Sequence, residues 1–72
     1  MIDKAKITEE LGKVLKLCEC GKHLERIAYV SNESGETVIC YMRDVDDIYK
    51  VRVNVTADSG AALILDVVNK LI

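Results

Sequence analysis

The chain has no proline, tryptophan or phenylalanine, and its only aromatic residues are three tyrosines. A core without large rings must be assembled from Ile, Leu, Val and Ala, which gives a well-packed but thin interior. Cysteine occurs three times, at Cys18, Cys20 and Cys40. An odd number closes no complete disulfide framework and fits thiols kept reduced. Neither sign of charge dominates, because ten Lys and Arg face twelve Asp and Glu, for a net charge of −2 and a pI near 5.3. The cationic excess on which electrostatically driven nucleic-acid binding depends is missing, so nucleic acid is not the expected partner. No apolar run reaches the roughly 18 residues of a membrane span, and the opening residues Met1 to Leu11 lack the apolar centre of a signal peptide. The expected compartment is therefore the cytoplasm.

Half of the 72 residues are apolar and 31% are charged. That length accommodates one hydrophobic core, hence one domain over 1–72, near the lower limit for folding without staples. Ile7, Leu11, Val14, Leu15 and Cys18 fall at the spacing of one helical stripe. They predict a first helix over about 8–20, with Thr8 as its N-cap, Glu9 and Glu10 in its positive first turn, and Gly21 as a left-handed stop.

From Arg26 the period changes to two. Arg26 to Ser31, Glu36 to Arg43 and Ile48 to Ala57 read as three strands. The third is the clearest, with Tyr49, Val51, Val53 and Val55 alternating with Lys50, Arg52, Asn54 and Thr56. Asn32-Glu33-Ser34-Gly35 suits a type I turn followed by a glycine bulge, and Asp44-Val45-Asp46-Asp47 is a polar connector, so the strands form an antiparallel meander. Ser59, or Asp58 before it, caps a last helix whose expected core face is Ala61, Ile64, Leu65, Val68 and Ile72. Leu63, Val67 and Leu71 widen its apolar arc beyond what one sheet contact requires.

The predicted fold is an α+β two-layer αβββα sandwich, a three-stranded antiparallel meander with two helices on one face. Register in the first hairpin decides what the other face carries, since a one-residue slip inverts a strand. With the bulged turn, Ala28, Val30, Val38, Cys40 and Met42 point inward, and Ile27, Tyr29, Ile39 and Tyr41 stand on the open face beside Lys50 and Arg52. Exposed aromatic, apolar and Arg side chains are typical of interface hot spots. The same residues on an ordinary wet sheet, or in the core of an inverted register, are the alternative.

The remaining clusters carry less chemistry. Cys18, Cys20, His23 and Cys40 lack the paired knuckle spacing of a zinc site, and Cys18 and Cys40 fall on apolar faces where free cysteines act as small hydrophobes. Cys20 and His23 have no third group to orient them, and a helix C-terminus raises a thiol pKa instead of lowering it. Asp44, Asp46 and Asp47 lack the glycine and terminal glutamate of a calcium loop, and read as a solvated turn. No catalytic residue, metal or cofactor is expected.

The order helix, three strands, helix resembles that of double-stranded-RNA-binding domains, and Gly21-Lys22-His23 looks like that family's glycine–histidine loop. Here it precedes all three strands instead of separating the first two. The start of the last helix, Thr56 to Ala61, has no cation where that family has a basic run, so no RNA-contacting residue is carried over. In size, acidity and lack of catalytic motif the chain is also similar to small phage inhibitors of bacterial defence systems.

The expected function is a small non-catalytic protein-interaction module, a regulator or inhibitor, using the open sheet face or the last helix. The partner-binding candidates are Tyr29, Ile39, Tyr41, Lys50, Arg52 and Val67. Nucleic-acid binding on a double-stranded-RNA-binding-like topology is the alternative function. The surplus apolar surface is expected to meet another protein, in a symmetric homodimer, since an isologous contact needs only one self-complementary patch, or in the alternative by heterologous capture by a larger target.

Overall fold

A computed structural model describes residues 2–72. Two helices and three strands follow one another as α1 (Lys4–Leu15), β1 (Leu24–Asn32), β2 (Gly35–Arg43), β3 (Ile48–Asn54) and α2 (Gly60–Leu71), with a short 3₁₀ turn at Glu19–Gly21 after α1. The strands form one antiparallel sheet in the order β1-β2-β3. Both helices contribute to the same core, so the architecture is the expected α+β sandwich with one sheet face covered and one open.

Helix α1 starts four residues before the expected position. The Asp3 carboxylate accepts a hydrogen bond from the Lys6 N–H at 2.9 Å, and an aspartate is as good an N-cap as a threonine. Thr8 is instead buried inside the helix, where its hydroxyl donates to the Lys4 carbonyl at 2.8 Å. The buried face is Thr8, Leu11, Gly12 and Leu15, which leaves Val14 and Cys18 of the sequence stripe exposed. Gly21 does not have the left-handed backbone of a helix stop. It is required for a different reason, since a Cβ there would collide with the Leu15 carbonyl.

The first hairpin departs most from expectation. Asn32 pairs with Gly35 across a two-residue tip, Glu33 and Ser34, and the Asn32 side chain accepts from the Ser34 N–H. Gly35 supplies the positive φ of +131°. This closure shifts β1 by one residue, so Ile27 stands opposite Cys40 and Tyr29 opposite Val38. Ile27 and Tyr29 therefore pack against the core, and Ala28 and Val30 turn to the open face. The bulge sits at the other end of β1, between Leu24 and Arg26, and there it returns Leu24 to the interior opposite Met42.

In α2 the core face is rotated relative to the expected one. Ser59 caps the helix, its hydroxyl accepting from the Ala62 N–H, and Leu63 and Val67 are fully buried. Leu65, expected inside, is 61% exposed. The core contains Leu11, Leu15, Leu24, Val38, Cys40, Met42, Val53, Val55, Leu63 and Val67, a single layer of aliphatic side chains between helices and sheet. No helix among the described residues is long and apolar enough to cross a membrane.

Candidate functional site

Two of the six sequence candidates lie off the surfaces expected for them. Val67 is fully buried between α2 and the sheet, because the helix turns the Leu63 and Val67 side inward. Tyr29 is on the helix side of the sheet, placed there by the Asn32–Gly35 closure. Its hydroxyl donates to Glu36, whose other carboxylate oxygen is 3.0 Å from Lys4 Nζ, and Lys4 also donates to the Val55 carbonyl at 2.9 Å. The Tyr29 hydroxyl and Lys4 together hold the Glu36 carboxyl below its ordinary value. This network joins the start of α1 to β1, β2 and the residue that follows β3, so Tyr29 has a structural role on the covered side of the sheet.

The other four candidates do share the open face. Arg26, Tyr41 and Lys50 form one cross-strand row, and Ala28, Ile39 and Arg52 form the next. The Arg26 guanidinium carbon lies 4.0 Å above the centre of the Tyr41 ring, and Lys50 Nζ lies 5.6 Å from it. Both are within range of a cation–π interaction. Arg43 ends the β2 row and forms a two-point ion pair with Glu25, at 2.8 and 3.0 Å. The pair holds the Glu25 carboxyl low and the Arg43 guanidinium high. Arg26 and Arg43 belong to this face but were missed as site residues. The signal for them was strand parity with Tyr41, readable within β2 for Arg43 and, for Arg26, once the Asn32–Gly35 closure is known.

A second surface lies on the outer side of the helices. Ile64, Leu65 and Ile72 of α2 and Val14 of α1 are all exposed. Between the helices runs a groove of about 410 Å³, lined by Lys6, Ile7, Glu10, Leu11, Val14 and Ile64. Its floor is almost wholly aliphatic, and its rim carries charges of both signs from α1. Sequence reasoning marked α2 as over-apolar but chose the wrong arc as exposed.

The three thiols differ in exposure. Cys18 is exposed, Cys20 half-buried and Cys40 buried, and burial pushes the Cys40 thiol up to about 11. A thiol held protonated in this way is a poor nucleophile and a poor metal ligand. Among the described residues no three His, Cys, Asp or Glu side chains come together as a metal-binding group.

No family model, curated protein or solved structure matches the chain. Two surfaces stand out on the chain, one aliphatic and one cationic.

Proposed function

We propose that the chain is a small non-catalytic protein-interaction module, and that the outer side of its helix pair docks a second copy of itself. The observation that carries this reading is the aliphatic stripe of α2, where Ile64, Leu65 and Ile72 stand in solvent with Val14 across the groove. Together these side chains expose on the order of 400–500 Å² of apolar surface, the size of the largest patch on a typical soluble monomer, and such patches are often functional.

The order of residues along α2 supports a second copy as the occupant. About Val68 the ends of the segment mirror each other, Ile64 with Ile72 and Leu65 with Leu71. Two α2 helices packed antiparallel across a twofold axis at Val68 bring Ile64 against Ile72 of the other copy. Each contact then occurs twice, which is the condition for a closed isologous interface. The pairing covers the stripe.

A module of this kind acts by occupying a surface and not by turning over a substrate, as a regulator or inhibitor does. Isotope-filtered NOE spectroscopy on an equimolar mixture of labelled and unlabelled chains tests the reading. Intermolecular contacts between Ile64 and Ile72 methyl groups are expected. Absence of any intermolecular contact at concentrations suited to the measurement, or contacts confined to Ile39 and Tyr41, overturns it.

A further inference from the structure

The open sheet face has a charge distribution that the composition hides. All three arginines of the chain, Arg26, Arg43 and Arg52, lie on it together with Lys50. The outward positions of the strands are Arg26, Ala28, Val30 and Asn32 on β1, Thr37, Ile39, Tyr41 and Arg43 on β2, and Ile48, Lys50, Arg52 and Asn54 on β3. None is a carboxylate. The one acid nearby, Glu25 in the bulge, is taken up by Arg43. With Arg43 balanced by Glu25, the face carries three net positive charges, and since the chain has a net charge of −2 the remainder carries five negative. A molecule that is acidic as a whole thus presents one cationic plane.

From this we infer that the open sheet face is a second binding site, and that its ligand is an acidic, amphipathic segment of another protein. The face combines the two features such a segment needs. Ala28, Val30 and Ile39 provide an aliphatic floor, and Arg26, Lys50 and Arg52 stand around it with no carboxylate paired to them among the described residues. Arginine forks match carboxylates in two-point geometry, and Arg26 is already held in place by stacking on Tyr41, so little side-chain freedom is lost when it binds. Cations around an apolar centre also give a face that excludes basic partners as strongly as it attracts acidic ones.

A single-stranded nucleic acid fits less well. Binding of successive bases relies on several aromatic platforms, whereas this face has only Tyr41, and Arg26 already covers its ring. A long polyanion also extends beyond the sheet onto the acidic remainder of the molecule, where it is repelled.

Fluorescence anisotropy with a labelled amphipathic Glu/Leu peptide tests the inference, with the matching Lys/Leu peptide and an oligouridine as comparison probes. Saturable binding of the Glu/Leu peptide that weakens with salt is expected. Arg52→Gln and Lys50→Glu, checked for native circular dichroism, should each weaken it by about tenfold or more. Leu65→Glu should leave it unchanged, which separates this site from the self-contact of α2. No saturable binding, equal binding of the Lys/Leu peptide, tighter binding of oligouridine, or indifference to both sheet substitutions each overturns the inference.

Discussion

Tyr29 stands opposite Val38 in the β1–β2 ladder, on the side of the sheet that the helices cover. That one pairing decides which side chains of β1 stand on the open face. It gives the core a tyrosine whose hydroxyl is satisfied by Glu36, and it leaves Arg26 to stack on Tyr41 in the open.

The closure that sets this register depends on Gly35. Its φ of +131° is disfavoured for any residue with a side chain, and an added Cβ would run into the Thr56 hydroxyl, which accepts from the Glu36 N–H at 2.8 Å. Gly35→Ala should destabilise the domain by about 1–3 kcal/mol. Urea melts of the two proteins measure the difference, and an unchanged midpoint would mean that the turn closes in another way.

The rotation of α2 is tested by two neighbouring leucines. Leu63 is fully buried and Leu65 is mostly exposed. Leu63→Ala should cost about 2–5 kcal/mol, a large share of the stability of so small a domain. Leu65→Ala should change the stability of the dilute protein by no more than about 0.5 kcal/mol. Denaturation at low protein concentration keeps self-association out of the comparison, and the reverse ranking would put the wrong side of α2 in the core.

Those two residues also mark where the sequence was legible and where it was not. In β3, strict alternation of Val51 and Val53 with Lys50 and Arg52 allows only one face to be buried, and the structure agrees. In α2 nearly every position from Ala61 to Val68 is apolar, so a periodic pattern has no polar side to register against. The choice between the Leu63 and Leu65 arcs is made by tertiary packing. In β1 both Ile27-Tyr29 and Ala28-Val30 are acceptable core pairs, and a single residue of turn length selects between them. The candidate site followed the same division, with Lys50, Arg52, Ile39 and Tyr41 on the open face and Tyr29 and Val67 withdrawn from contact.

The acid side of the stability profile should depend on Asp58. The neighbouring Asp66 carboxyl, followed by burial, raises the Asp58 carboxyl above its ordinary value of 3.8, and Asp58 Oδ2 has no hydrogen-bond partner among the described residues. A carboxyl raised in the folded state binds its proton more tightly there than in the unfolded chain. Its contribution is therefore most favourable in acid below 3.8 and declines as pH rises through the raised folded value. Asp58→Asn should increase stability at neutral pH and flatten that decline. Glu10, Glu25 and Glu36 are shifted the other way, and their stabilisation is lost in acid in both proteins. Urea midpoints from acid to neutral pH measure the difference, and a variant less stable than the parent at neutral pH would mean that Asp58 serves the fold as an anion.

Self-association through α2 is most directly measured by sedimentation velocity over a wide concentration range, on the unaltered chain and on Leu65→Glu. The unaltered chain should pass from monomer to dimer as concentration rises, since the stripe of Ile64, Leu65 and Ile72 is then covered by its twofold copy. Leu65→Glu should stay monomeric with a native circular dichroism spectrum, because the substituted residue faces solvent in the monomer and an unpaired charge is costly only in the desolvated contact. A chain that remains monomeric throughout, or a Leu65→Glu variant that dimerises like its parent, would contradict the reading.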